Sequence, residues 1–138
     1  MKLNRSVWYA FYAASYIARQ EEGIPVMAKN IAESCRIPLE YLLKILLQLV
    51  RSEVLGSIRG PRGGFYLSRP PGEITLLQIF EAIEGPLESI ADITSPKAHT
   101  DMARKLSEVY QQAISGAAKT FSKTTLADLI DDPVEKKL

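Results

Sequence analysis

Two arginines stand in a glycine-rich segment that joins two β-prone runs, SIRGPRGGFYL at residues 57–67. Gly60, Gly63 and Gly64 tolerate unusual backbone angles, so the segment predicts a narrow hairpin turn with Arg59 and Arg62 at its tip. A guanidinium group on such a projection can hold a phosphate or enter a narrow DNA minor groove. The alternative is a plain hairpin with solvated arginines, which the hairpin by itself would favour.

The leucine-rich segment at residues 39–52 carries a second set of side chains that suit DNA. At about 100° per residue, one polar sector of a helix here would contain Glu40, Tyr41, Lys44, Gln48 and Arg51. The opposite sector, which we expect to be buried, would contain Leu39, Leu42, Leu46, Leu49 and Val50. Lys and Arg reach phosphates or guanine edges, Gln pairs with adenine, Tyr reaches phosphate or sugar, and Glu accepts from cytosine. Because any surface helix has a mixed polar face, this sector indicates DNA binding only together with the arginine turn.

Two shorter helices are expected before this segment. Asn4 or Ser6 can cap a first helix, whose apolar residues recur every three or four positions until it ends near Gly23. A short second helix is predicted at residues 26–35. Pro38 then ends the second helix region and suits the first turn of the third helix.

Strands are predicted at residues 54–59 and 65–67, on either side of the glycine turn. The predicted order is a helix, a short helix, a tight turn, a third helix and a hairpin. This is the order of a winged helix-turn-helix. The predicted fold class is therefore mostly α with a small β-wing, followed by a long dimerisation helix.

The second half of the chain is expected to be helical apart from a loop at residues 88–100. Thr75 can cap a fourth helix that runs to Glu84. A long helix at residues 101–121 has an apolar stripe formed by Met102, Leu106, Val109, Ala113 and Ala117. Such a helix projecting from a small domain usually needs a partner, so the stripe predicts a homodimer.

A last short helix is predicted at residues 124–130. We accordingly divide the chain into four parts with different tasks. They are a DNA-binding domain at residues 1–84, a connecting or sensor loop at 85–100, a dimerisation helix with a short C-terminal helix at 101–132, and a tail at 133–138.

Composition and charge limit the classes of protein to which this chain can belong. The 138 residues are 46% hydrophobic with a net charge of +1, which is enough apolar content for a core and gives no global sign of a polyanionic partner. Charge is nevertheless uneven, with 10 basic and 5 acidic residues in the first 69 and 7 basic and 11 acidic in the rest. The apolar runs fall short of the roughly 18 residues needed to cross a membrane, and a lone cysteine favours a reducing compartment. We expect a cytoplasmic protein.

Short motifs along nearly the whole chain form a specific combination. They are Tyr9-Ala10, Ile31-Ala32-Glu33, Ile37, Tyr41-Leu42, the segment from Ile58 to Leu67, Ile74-Thr75-Leu76, Glu84-Gly85-Pro86-Leu87 and Thr125-Leu126-Ala127-Asp128-Leu129. A wing reading R-G-P-x-G-G-x-x-L, followed by E-I-T-L and E-G-P-L, is the most specific part. This combination resembles the Rrf2 family of bacterial transcription regulators, which includes the iron-sulfur cluster regulator, a nitric-oxide-sensing repressor and the cysteine-metabolism repressor.

The resemblance implies a homodimer on a pseudo-palindromic operator, with the third helix in the major groove and the wing arginine in the minor groove. It assigns DNA contacts to Pro38, Glu40, Tyr41, Lys44 and Arg59. Where many relatives read Y-L-E-Q, this chain reads Tyr41-Leu42-Leu43-Lys44, so leucine replaces a glutamate used for base discrimination. The operator preference of those relatives should therefore not carry over.

Cluster-binding relatives have three cysteines in the loop before the long helix, and this chain has none there. The loop offers only His99 and a few oxygen ligands such as Asp101. Because iron-sulfur clusters need soft thiolates, we expect no metal and no cofactor. Cys35, beside the helix-turn-helix bend, is either inert packing or a site where oxidation disturbs DNA binding.

Some relatives take a non-cysteine cluster ligand from the first helix, at positions matching Trp8 and Tyr12. Both residues are aromatic here, and their spacing of four places them on one helical face. They either pack at the dimer interface or line a cavity for an apolar or aromatic effector.

The leading hypothesis is a sequence-specific regulator of transcription, most simply a repressor, that binds double-stranded DNA. The alternative is a winged-helix protein that binds other proteins as a co-regulator, or a small-molecule sensor without its own operator. An enzyme is disfavoured because the sequence has no Ser-His-Asp set, no phosphate-binding G-x-x-x-x-G-K-[ST] motif and a single histidine.

Overall fold

The computed structural model describes residues 3–87 and 100–130, which fold into six α-helices and one two-stranded sheet. The helices are α1 (Arg5–Arg19), α2 (Ala28–Cys35), α3 (Leu39–Arg51), α4 (Leu76–Glu84), α5 (Asp101–Lys123) and α6 (Leu126–Ile130). The strands are β1 (Leu55–Ile58) and β2 (Gly64–Leu67), and a short 3-10 turn spans Pro71–Glu73. This is the mostly helical winged helix-turn-helix that the sequence predicts.

Helix α1 lies at the centre of the core. The Asn4 side chain caps it by accepting a hydrogen bond from the Val7 amide at 3.1 Å. Ala10, Ala13 and Ala14 are fully buried, and their small side chains allow the other helices to approach closely. The helix packs against α2, α3, α4 and α6, so it is the common support of the helix-turn-helix and of the C-terminal elements.

The wing is an antiparallel hairpin in which Leu55 pairs with Leu67 and Ile58 pairs with Gly64. Val26, just before α2, adds a third chain segment to it through two 2.8 Å hydrogen bonds with Phe65. Gly64 makes this approach possible, because a Cβ there would lie 2.5 Å from the Val26 carbonyl oxygen. The wing is thus fixed to the helix-turn-helix on its inner side.

The C-terminal elements join the same core. Thr75 caps α4 with a reciprocal capping box to Gln78. The α6 segment pairs with the start of α4, where Leu126 donates to the Ile74 carbonyl at 2.9 Å. Phe121 of α5 stacks on Phe80 of α4, with ring centroids 5.8 Å apart. The C-terminal half of α5 is therefore anchored in the domain.

The N-terminal half of α5 is exposed, as its apolar stripe predicts. Met102 is 73% exposed, Leu106 65% and Val109 62%. Ala117, which the sequence assigned to the same stripe, instead packs against the core together with Ala118. The stripe is shorter than predicted because α5 enters the core from Ile114 onward.

Most element boundaries agree with the sequence, and the differences have local causes. Helix α1 ends at Arg19 rather than near Gly23, because residues 20–25 form a turn. Helix α3 begins at Leu39, as the sequence predicts, and Pro38 is its N-cap rather than part of its first turn. Val26 pairs with the wing and Met27 is the N-cap of α2, so this helix begins at Ala28 instead of Val26.

Leu39 is the clearest error of the sequence analysis. It was expected to be buried with Leu42 and Leu46, yet it is 43% exposed. It lies in the first turn of α3, on the flank that it shares with the exposed Leu43 and Leu47.

Among the described helices, none is long and apolar enough to span a bilayer. His99, nearly all of the predicted loop at 88–100 and the tail at 133–138 lie outside the described residues.

Candidate nucleic-acid interface

A tight turn between α2 and α3 sets the direction of the third helix. Arg36 adopts the left-handed conformation with φ 55°, which ends α2. The Ile37 amide then donates to the Ala32 carbonyl at 3.0 Å, and the Ile37 side chain is buried. The Pro38 carbonyl accepts from the Leu42 amide at 2.9 Å, so α3 begins at once.

Helix α3 has one buried and one exposed face. Leu42, Ile45, Leu46 and Leu49 are essentially inaccessible and hold the helix against the core. The exposed face contains most of the polar side chains that the sequence placed there. Glu40, Tyr41, Lys44 and Arg51 are exposed, and Gln48 is half-buried.

Tyr41 has a structural partner that the sequence did not reveal. Its hydroxyl lies 2.5 Å from the Ser6 hydroxyl, and its ring meets the edge of Tyr9 at a centroid distance of 5.5 Å. Both partners belong to α1. The residue assigned to DNA therefore also ties the start of α3 to the central helix, and Ser6 and Tyr9 were missed because these contacts span about thirty residues.

The wing tip presents Arg59 and Arg62 to solvent. Gly60 turns the chain with φ +112°, and its carbonyl accepts from the Gly63 amide at 2.9 Å. Gly63 itself is buried, and a Cβ at this position would lie 2.0 Å from the Ile58 carbonyl oxygen. Only glycine fits there, so this residue fixes the shape of the arginine-bearing tip.

The junction between α3 and the wing is held by Arg69. Its guanidinium donates to the Glu53 carbonyl and to the Gln78 side chain, each at 3.2 Å. The Ser68 hydroxyl adds bonds to the carbonyls of Glu53 and Val54. Glu53 adopts a positive φ of 62°, which a fixed set of partners can maintain. Sequence reasoning missed Arg69 because a single arginine after a strand has no periodic signal.

Trp8 and Tyr12 lie on the exposed face of α1, at the positions that the sequence analysis associated with an effector. Their rings stack with centroids 6.0 Å apart and planes 29° apart. A cavity of about 500 Å³ lies elsewhere, between the end of α1 and β2, with Ile17 and Tyr66 among its lining residues. Trp8 and Tyr12 do not line it.

Cys35 ends α2 next to the helix-turn-helix bend and is half-buried. Its thiol faces the Tyr12 carbonyl with a sulfur-to-oxygen distance of 3.9 Å. Burial raises the pKa of this thiol, and the charge of Arg19 opposes that shift only in part. A protonated thiol is a weak nucleophile and a weak metal ligand.

Comparisons with known proteins agree with this geometry. Over residues 3–132 the chain matches the Rrf2 family, described as an iron-dependent transcriptional regulator. A candidate helix-turn-helix transcriptional regulator of Synechocystis sp. is 35% identical over 96% of this chain and 89% of its own length.

Two solved structures share the fold. One is CymR, the global cysteine regulator of B. subtilis, with a TM-score of 0.79 at 24% identity over 94% of this chain and 96% of that one. The other is T. potens IscR, with a TM-score of 0.79 at 25% identity over 100% of this chain and 92% of that one. Helix-turn-helix, wing and a match over nearly all of its length place this chain in the Rrf2 family of transcriptional regulators.

Proposed function

We propose that this regulator is a homodimeric repressor that binds a pseudo-palindromic operator in double-stranded DNA, in the cytoplasm, without an iron-sulfur cluster. The observation that carries the proposal is the exposed polar face of α3, joined through the hydrogen-bonded Arg69 junction to a wing with two arginines at its tip. A repressor function follows most simply from a bound dimer that blocks access to a promoter.

In this proposal α3 lies in the major groove, as the second helix of a helix-turn-helix does. Glu40 and Lys44, in the first turns of α3, contact base edges, and Pro38 lets the chain approach the backbone at the start of the helix. Gln48 and Arg51, farther along, contact bases or phosphates. Tyr41 contacts a phosphate while its hydroxyl keeps the Ser6 bond, since a phenol can donate and accept at once.

The wing supplies the remaining contacts. Arg59 enters the minor groove, where a narrow groove strengthens the negative potential, and Arg62 holds a phosphate. Gly63 contributes through the shape of the turn. In this proposal, one set of side chains reads bases and another positions the DNA backbone.

The homodimer is supported by the exposed stripe of Met102, Leu106 and Val109 on α5. Large apolar side chains in one row on a projecting helix are favourable only when a second surface covers them. In the dimer two copies of α3 would lie about 34 Å apart and read half-sites one helical turn apart. The exposed pair Trp8 and Tyr12 would either extend this interface or bind an apolar effector.

Iron is named in the family description, but the residues of this chain do not fit an iron-sulfur cluster. The sequence has one cysteine and one histidine, whereas clusters are held by several thiolates. Burial also raises the pKa of the Cys35 thiol, which disfavours the thiolate form that binds iron. The described residues contain no group of three or more His, Cys, Asp or Glu side chains that could hold a metal. We therefore propose control by an effector, a partner protein, Cys35 oxidation or protein abundance.

The DNA proposal is tested with the promoter region of the protein's own gene in a fluorescence anisotropy assay. The unaltered chain should prefer this duplex over an unrelated duplex of equal length, and Lys44→Ala should weaken specific binding by about 1 to 3 kcal/mol. Lys119→Ala, an exposed lysine on α5, is the matched control and should bind normally. If selection with this protein from a random duplex library also yields no preferred sequence, it is not a sequence-specific DNA-binding protein.

Freedom from a cluster is tested by purification without oxygen. The protein should be colourless, should contain no stoichiometric iron or sulfide, and should bind DNA equally well with and without a chelator. A brown protein whose DNA affinity changes on cluster loss would refute this part of the proposal.

A further inference from the structure

Three leucines form an exposed row along the third helix. Leu39 is 43% exposed, Leu43 39% and Leu47 50%, although leucine is usually buried. Their spacing of four residues places them one above the other on the same flank of the helix. The hydrophobic core is built from other leucines of α3, so folding does not explain this row.

The row lies along the edge between the buried face of α3 and the polar face that the proposed function assigns to the major groove. On a helix turning about 100° per residue, Leu47 points within about 20° of Glu40 and Leu43 within about 60° of it, whereas Leu39 points about 100° away. Lys44 and Arg51 lie on one side of the row, about 60° and about 40° around the helix from Leu47, and the buried face lies on the other side. An apolar strip beside two cationic side chains matches the DNA surface, where phosphates line a groove of base edges.

Only one apolar group is displayed by base pairs in the major groove, the C5-methyl of thymine. Leucine cannot form hydrogen bonds with base edges, so its useful contact there is with this methyl group. We infer that Leu43 and Leu47 are specificity-determining residues that pack against thymine methyl groups in each half-site. This inference rests on the proposed DNA-binding function and adds the chemical group that the exposed leucines recognise.

The test removes the methyl group without changing base pairing. Duplexes are selected from a random library with the unaltered full-length protein, and the selected operator is resynthesised with deoxyuridine in place of thymidine, one position at a time. Burying one methyl corresponds to about fourfold in affinity. We expect at least one thymine per half-site, at symmetric positions, whose replacement weakens binding by about that factor.

Variants then assign the contact to a residue. Leu43→Ala or Leu47→Ala should bind the thymidine duplex about fourfold or more weakly and should lose the deoxyuridine effect at its own position, as coupled groups do in a double-mutant cycle. Ile24→Ala is the matched control, because Ile24 is a similarly exposed aliphatic residue outside α3. It should keep the full sensitivity to the methyl group.

The outcomes separate this inference from the function on which it rests. If binding stays tight and selective when every thymidine is replaced, the leucine assignment is wrong, but the proposed DNA-binding function stands. Methyl sensitivity that persists unchanged in both leucine variants would also overturn it. A change of oligomeric state in Leu43→Ala without methyl sensitivity would show that the row contacts protein instead. If the random library yields no selected sequence, both the proposed DNA-binding function and this inference are wrong.

Discussion

Gly63→Ala tests whether the shape of the wing tip is needed for DNA binding. The added Cβ would lie 2.0 Å from the Ile58 carbonyl oxygen and 2.8 Å from its carbonyl carbon. Both atoms are backbone, so no side-chain rotation can relieve the clash, and the turn must open. Opening breaks the 2.9 Å bond from the Gly63 amide to the Gly60 carbonyl and displaces Arg59.

The expected size of the effect follows from these contacts. Overpacking of this kind costs about 1 to 3 kcal/mol of unfolding free energy, and the helical core should remain folded because the wing tip contributes little to it. Loss of a groove-bound arginine costs a further 1 to 3 kcal/mol, roughly, in binding, or about 5- to 150-fold in Kd.

Stability is measured by urea unfolding and affinity by anisotropy with the selected operator. Gly116→Ala is the control, because a Cβ at this helical position on α5 meets nothing within 4 Å. It should stabilise the chain slightly, by roughly 0.5 to 1 kcal/mol, and bind normally. A Gly63→Ala protein that binds with unchanged affinity would refute the assignment of the wing to the DNA interface.

Three further results are expected. Arg59→Ala should weaken operator binding by about 1 to 3 kcal/mol and Arg62→Ala by less, since a phosphate contact is the smaller loss; equal, unchanged affinities at moderate salt would contradict the wing contacts. Leu106→Asp should convert a dimer to a monomer in light scattering at micromolar concentration, whereas Lys105→Asp, exposed beside the stripe, should not. In the folded chain, alkylation of Cys35 should require a more alkaline pH than in the urea-unfolded chain. Burial raises the pKa of its thiol, and the thiolate is the reactive form. Identical pH profiles for the two states would contradict this.

Local chemistry predicted the framework of this fold. Asn4 and Thr75 cap their helices as their side chains indicate, and the glycines around Arg59 form a hairpin. Each of these signals acts within a few residues, through a side-chain oxygen that meets a free amide or a backbone angle that favours glycine. Such features can be predicted without knowledge of the rest of the chain.

The supports of the candidate interface could not be predicted in this way. The Ser6 contact to Tyr41, the pairing of Val26 with the wing and the bonds of Arg69 join segments distant in sequence. The burial of a leucine at the start of α3 likewise depends on which segments pack there, and Leu39 remains 43% exposed. Periodicity predicts which residues share a face of a helix. The segments that pack against the helix decide which of those residues are buried.

The charge distribution has a consequence for how this regulator finds DNA. The whole chain has a net charge of only +1, and the second half carries 11 acidic against 7 basic residues. Long-range attraction to DNA is therefore weak, and the positive charges act mainly within about 8 to 10 Å, the screening length at physiological salt. Non-specific binding, which depends on phosphate neutralisation, should be correspondingly weak. Under the proposed function, affinity should then depend on close fit, through the wing, the orientation of α3 and apolar contacts that salt does not screen. Discrimination between operator and bulk DNA should come from shape and base contacts more than from charge.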